Sequence, residues 1–207
     1  MNESEPRVFV VNDEQPKSLA DRLATQDYSV EIFAGPAEFL ARAPHPGPGC
    51  IVLELLRGFD GLAFQRHLME EGRAVQIVFV GAHEDIRLGI EAMKRGAVDF
   101  LPKPFGDDEL LFAVAEALAR SARVVESRAR LARLTPREFE VLRLMITGLA
   151  NKEISAELGI TLRTVKAHRT GVTRKIGALS VVDLVRLALV AGVAPAQPGI
   201  VSRAKYG

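Results

Sequence analysis

LTPREFEVLRLMITGLANKEISAELGITLRTVKAHRTGVTRKIG, residues 134–177, carries unusually clear helix punctuation. Thr135, Pro136 and Glu138 supply an N-cap hydroxyl, a first-turn proline and a capping-box carboxylate in the order that starts a helix. Gly148 closes that helix. Asn151 is placed to cap a second, short helix that runs to Leu158 and stops at Gly159. Thr161 caps a third, longer and basic helix that reaches Ile176, with Gly177 beyond it. Ser180 and Asp183 repeat the capping box for a fourth. A short helix, a glycine-containing turn and a longer basic helix is the order of a helix-turn-helix.

On a helical wheel of residues 162–176, Leu162, Val165, Val172 and Ile176 form one narrow apolar stripe, the expected core face. Arg163, Ala167, Thr170 and Arg174 lie opposite, with Lys166 and Lys175 on the flanks. Small and hydroxylated residues let a helix seat in the major groove, so Lys166, Ala167 and Thr170 are expected to face bases. Asn151, Lys152, Arg163, Thr164, Arg174 and Lys175 are expected to hold phosphates, which position without specifying. Arg169 falls near the buried edge and has to snorkel outward, toward a phosphate. For His168, at the other edge, a packed and hydrogen-bonded ring is the plainer reading. Gly171 costs about 1 kcal/mol relative to Ala in a helix interior, which points to a close approach of the backbone to a neighbour.

Working outward, residues 1–119 alternate short β-branched runs with amphipathic stretches. The runs are RVFVV (7–11), SVEIF (29–33), CIVLE (50–54), QIVFV (76–80) and VDFL (98–101). Helical patterns occupy 16–25, 36–43, 62–71, 85–95 and 107 onward. Runs apolar throughout, with helices between them, predict a parallel sheet covered on both faces. Five units give a flavodoxin-like, doubly wound α/β fold whose ligands sit at the carboxyl ends of the strands. Residues 120–133, rich in Ala, Leu and Arg, read as a helical linker. Residues 134–193 form the four-helix unit, and 194–207 an aperiodic, flexible tail.

Charge divides the chain in the same way. Residues 1–119 carry 11 basic and 20 acidic side chains, net −9, while residues 120–207 carry 16 and 6, net +10. A basic second half suits a polyanionic partner. One cysteine, Cys50, makes neither an internal disulfide nor a multi-thiolate metal site and reads as buried filler. No run of eighteen apolar residues occurs and the amino terminus is unlike a secretory leader, so the expected location is the cytoplasm, away from membranes. His45, His67, His83 and His168 are scattered, and neither a Walker loop nor a nucleophile elbow occurs. The expectation is therefore no enzyme, no metal and no cofactor.

With these residues in view, the second half resembles the LuxR/GerE-type DNA-binding domain of NarL/FixJ response regulators. LTPRE, GLANKEI, TVKAHR and RKIG agree in type and spacing over about 55 residues. The resemblance implies double-stranded promoter DNA as ligand and a last helix that mediates dimerisation on it. VVDLVRLALV (181–190) is apolar nearly all round, so one face can pack inward and another on a partner copy, with Val181, Leu184, Val185 and Ala188 as the expected dimer residues. An entirely internal core helix is the alternative reading.

The first half is similar to the receiver domain of the same regulators, through DFLPKPF (99–105) and GAHEDI (81–86). In that family two acidic residues hold Mg²⁺, an aspartate accepts a phosphoryl group, a hydroxyl residue senses it and a lysine before a cis-proline contacts it. Position by position these become Asn12 and Asp13, Glu54, Gly81, and Lys103 before Pro104, with an aromatic at Phe100. Asn12 removes a charge that a divalent cation needs. Glu54 is one methylene longer than Asp, which displaces its carboxylate from in-line geometry. Gly81 has no hydroxyl. The 55–60 loop also lacks the family's usual proline. Three departures at three roles argue against an aspartyl-phosphate switch and for weak or lost Mg²⁺ binding. Glu54 is expected to pair with Lys103, either imitating the phosphorylated state or in a vestigial pocket. The leading function is then a phosphorylation-independent transcription regulator that dimerises at least on DNA, with the 85–95 helix and 98–101 strand as a face for a partner protein. The competing reading is an adaptor that binds another regulator through the receiver-like domain, with DNA binding secondary.

Overall fold

The computed structural model describes residues 5–11, 16–24, 28–55, 59–197 and 199. The chain divides into two compact units, Met1–Val125 and Glu126–Gly207.

In the first unit, strands β1 (Arg7–Val11), β2 (Ser29–Phe33), β3 (Gly49–Glu54), β4 (Gln76–Gly81) and β5 (Asp99–Pro102) form one sheet in the order β2-β1-β3-β4-β5. Every pairing is parallel. Helices α1 (Pro16–Ala24), α2 (Pro36–Ala41), α3 (Gly61–Glu70) and α4 (Ile86–Lys94) make the four crossovers, α5 (Asp107–Leu131) follows the last strand, and a 3-10 turn at His83–Asp85 leads into α4. Side chains alternate between faces with period two. Val8, Val10, Cys50, Val52, Val78 and Val80 therefore meet Leu19 and Leu23 of α1 and Leu110, Val114 and Ala117 of α5. Phe9, Ile51, Leu53, Ile77 and Phe79 meet Phe39, Phe64, Leu68 and Ala92 of α2, α3 and α4. β3, at the centre, is buried at every position, which is why CIVLE is apolar without alternation. Burial pushes the Cys50 thiol far above its ordinary range, in keeping with a packing role.

The second unit packs α6 (Pro136–Met145), α7 (Asn151–Leu158), α8 (Leu162–Ile176) and α9 (Val181–Ala191) around Val141, Leu142, Leu144, Ile154, Leu158, Val165, Val172, Ile176 and Leu184. The caps at Thr135, Thr161 and Ser180 form as expected, each accepting a backbone N–H three residues on. α7 differs: Ala150 is the N-cap and Asn151 the first helical residue, because Glu153 reaches back to accept the Ala150 N–H at 2.7 Å. Gly148, at φ +87°, turns the chain after α6 has already ended at Met145.

The tail also departs from expectation. Arg143 of α6 donates to the carbonyls of Ala194 and Pro195, at 3.1 and 3.4 Å, and accepts the Ala196 N–H at 3.1 Å. The Gly199 N–H reaches Glu157 at 3.0 Å. Val193 and Ala196 pack on the core, so residues 194–197 form a strap, fixed by contacts that no local periodicity records. Residues 201–207 lie outside the described residues.

The linker expected from residue 120 starts further on, because Ser121 on α5 is completely buried in the first unit. Its hydroxyl accepts the Gly49 N–H at 2.9 Å and donates to the Ala74 carbonyl at 2.8 Å. These bonds hold the starts of β3 and β4 to the helix. Ser121→Ala leaves the buried Gly49 N–H without its partner and is expected to cost about 1–3 kcal/mol, read as a lower urea midpoint at constant slope. An unchanged midpoint would refute this clip.

Candidate nucleic-acid interface and receiver corner

The third helix of the second unit, α8, starts where Thr161 accepts the Thr164 N–H at 3.2 Å, and ends at Gly177, whose φ of +74° takes the chain out of the helix. Val165, Val172 and Ile176 anchor it in the core. The opposite face leaves Arg163, Lys166, Ala167, Thr170 and Arg174 exposed, while Thr164, His168 and Arg169 are half-buried. Leu162, expected in the core stripe, is 47% exposed. It precedes Val165 by three residues, about 60° round the helix, and so falls on the rim of the stripe.

On α7, Lys152 is exposed and Asn151 half-buried. The turn between α7 and α8 is held firmly. Gly159 is left-handed at φ +62°, the Ile160 N–H reaches the Ser155 carbonyl at 3.2 Å, and Arg137 of α6 donates to the Leu158 carbonyl at 2.9 Å. α8 therefore presents its basic face on a rigid turn.

One expected phosphate contact is already engaged. Lys175 donates to Glu138 at 2.6 Å, and the same carboxylate oxygen accepts the Thr135 N–H at 2.8 Å. Glu138 is only 7% exposed. The close approach expected at Gly171 is to this group: a Cβ there would lie 2.5 Å from the second oxygen of Glu138. Sequence reading missed the cluster because its members are 37 residues apart. The sole local clue was the unfavourable glycine.

α9 corrects two dimer residues. Leu184 and Ala188 are buried with Leu187 and Ala191 on one helical stripe, so they hold the domain together and offer no outer surface. The apolar face left uncovered comprises Val181, Val182 and Leu189, at 42%, 64% and 68% exposure, with Val185 half-buried.

At the carboxyl edge of the sheet, Glu54 ends β3 at 6% exposure and its carboxylate accepts the Lys103 ammonium. The Lys103–Pro104 bond is cis, and the Lys103 N–H donates to the Gly81 carbonyl at 2.8 Å. Ser18, Arg22 and Phe105 line a cleft of about 440 Å³ beside this pair. Arg22 pairs with Asp107, donates to the Phe105 carbonyl at 3.2 Å and lies 4.7 Å over the Phe105 ring. The Phe100 ring occupies the space beside two glycines: a Cβ on Gly81 would meet it at 3.1 Å and one on Gly89 at 2.5 Å. Asn12, Asp13 and residues 56–58 lie outside the described residues. On α4, Ile86, Ile90 and Met93 form an uncovered apolar stripe at helical spacing.

A sheet in the order β2-β1-β3-β4-β5 followed by a capped helix-turn-helix unit defines a two-domain regulator, and comparison with known proteins supplies the family. Residues 8–115 match the response regulator receiver domain, and residues 132–188 match the bacterial regulatory proteins of the luxR family. The transcriptional regulatory protein FixJ of Azorhizobium caulinodans is 40% identical over 206 residues, covering 95% of this chain and 97% of that one. Nodulation protein W of Bradyrhizobium diazoefficiens is 38% identical, covering 90% and 86%. Among solved structures, the response regulator StyR aligns with a TM-score of 0.53 at 38% identity, covering 90% of this chain and 99% of that one. Full-length FixJ from B. japonicum aligns at 0.52 and 32%, covering 91% and 98%. The chain belongs to the NarL/FixJ-type response regulators and is a transcriptional regulator with a receiver domain and a LuxR-type DNA-binding domain. Among the described residues no helix is long and apolar enough to cross a membrane.

The Lys175 ammonium, followed by the Thr135 N–H, holds the Glu138 carboxyl at about 2, well below its ordinary 4.5. A carboxyl depressed on folding contributes stability that is present above its unfolded value and lost as pH falls toward its folded one. Wild type is therefore expected to lose stability between pH 4.5 and about 2 more steeply than Glu138→Gln, with a constant gap above pH 5. Urea midpoints of both proteins across that range provide the check, and parallel curves would refute it.

Proposed function

We propose that this protein binds promoter DNA as a dimer without needing an aspartyl phosphate. The observation that carries this reading is the Glu54–Lys103 pair, in which the position of the phosphoryl acceptor is filled by a longer carboxylate already paired with the lysine. The Glu54 carboxylate already accepts the Lys103 ammonium, so a divalent cation bound to it would compete with that group. Together with Asn12 and Gly81 this supports weak Mg²⁺ binding. A carboxylate already paired with Lys103 holds one arrangement of the corner without a ligand to select it.

Lys166, Ala167 and Thr170 face the bases in this reading. Arg163, Arg174 and Lys152 hold phosphates, with Asn151, Thr164 and Arg169 at the margin of the contact. The uncovered α9 face of Val181, Val182, Val185 and Leu189 joins two copies on adjacent half-sites. The α4 stripe of Ile86, Ile90 and Met93 favours a second reading in which a partner protein docks on the receiver domain.

The test begins with a duplex selected by the full chain from a random pool, then titrated with and without Mg²⁺ and beryllofluoride. Affinity and complex mass unchanged by the additive are expected, and binding that appears only with it would overturn the phosphate-independent reading. Val182→Glu with Leu189→Glu is expected to leave monomeric binding intact and abolish the second binding step, read by the mass of the complex. Retention of the two-copy complex would remove α9 from the interface.

A further inference from the structure

Lys175 is the one expected DNA contact whose charge is engaged inside the domain. Its ammonium donates to Glu138 at 2.6 Å, and its side chain is 30% exposed. Glu138 has little freedom to find another cation. One oxygen is shared between Lys175 and the Thr135 N–H, and the other lies where a Cβ of residue 171 would stand. If Lys175 turned to a phosphate, Glu138 would remain buried, ionised and without its cation, an unfavourable exchange. Gly171 and Lys175 are four residues apart, hence on one face of α8, and that face meets the first turn of α6.

We infer that Lys175, Glu138 and Gly171 form a strut that sets the distance and tilt of the recognition helix against α6, and that Lys175 is a positioning residue and makes no phosphate contact. The inference rests on the DNA-binding reading above and deepens it. Thr135 fixes the α6 end of the strut through the capping box, so the same carboxylate that starts α6 also aims α8. A side chain at 171 would have to displace that carboxylate, which Lys175 and the Thr135 N–H hold in place, and the low helix propensity of glycine is tolerated for that reason.

A phosphate contact and a strut are separated by counterion release. Each neutralised phosphate adds about 0.9 to the slope of log affinity against log salt, whereas a positioning residue adds nothing to it. Full-length wild type, Lys175→Met, Glu138→Gln, Gly171→Ala, the Lys175→Met/Glu138→Gln double variant and Lys152→Gln are titrated on the selected duplex at several salt concentrations. Lys152→Gln is expected to lower the slope by about 0.9. Lys175→Met, Glu138→Gln and Gly171→Ala are each expected to weaken binding about tenfold with the slope unchanged, and the double variant to be no weaker than the worse single one.

A slope lowered by Lys175→Met, with Glu138→Gln binding as wild type, overturns the strut and returns Lys175 to the phosphates. Wild-type affinity in all three single variants overturns it equally. Amide exchange of α8 in the free protein gives a reading independent of DNA and of any one substitution. Faster exchange in Gly171→Ala and Lys175→Met is expected, and unchanged exchange rejects the strut. A wild-type chain that binds no duplex, yet shows faster α8 exchange in the variants, refutes the DNA reading while leaving the strut supported.

Discussion

Taking a carboxylate out of water costs several kcal/mol unless a cation and hydrogen bonds compensate it in good geometry. Each unit of this protein contains such a carboxylate, buried and paired with a lysine. In the DNA-binding unit it is Glu138, which accepts a backbone N–H from Thr135 and the ammonium of Lys175. In the receiver it is Glu54, at the end of the fully buried central strand, paired with Lys103 across the carboxyl edge of the sheet. Each pair joins elements far apart in sequence and holds them in one arrangement.

The consequences differ because the surroundings differ. Glu138 lies beneath a helix whose outer face is lined with exposed basic residues, so its pairing bears on how that helix is presented. Glu54 lies at the carboxyl edge of the sheet, and its pairing joins the end of β3 to the segment after β5. The Phe100 ring packs beside Gly81 and Gly89 at the same corner.

Much of this architecture was legible along the chain. Apolar runs alternating with amphipathic stretches marked five strands and their crossovers, since a parallel strand buried on both faces has to be apolar throughout. Thr135, Thr161 and Ser180 marked three helix starts, because a capping hydroxyl acts on a backbone group three residues away. Less visible was which side of an apolar helix faces inward. Leu184 and Ala188 read as equals of Val181 and Val185, but only the packed domain separated core from surface. Asn151 looked like a cap because asparagine caps well, yet the reach of Glu153 moved the boundary by one residue.

The two-unit division, the segregation of charge and the residues on the basic face of α8 were legible in the chain alone, whereas the strand order β2-β1-β3-β4-β5 was not. The first three follow from local periodicity, capping chemistry and composition, which act over a few residues. Tertiary structure decided that Lys175 points to Glu138, that Arg143 clasps the strap at 194–197, that Ser121 belongs to the receiver and that Gly171 makes room for a carboxylate. These are contacts between groups tens of residues apart, made when packing brings them together and water is excluded, and no local pattern encodes them.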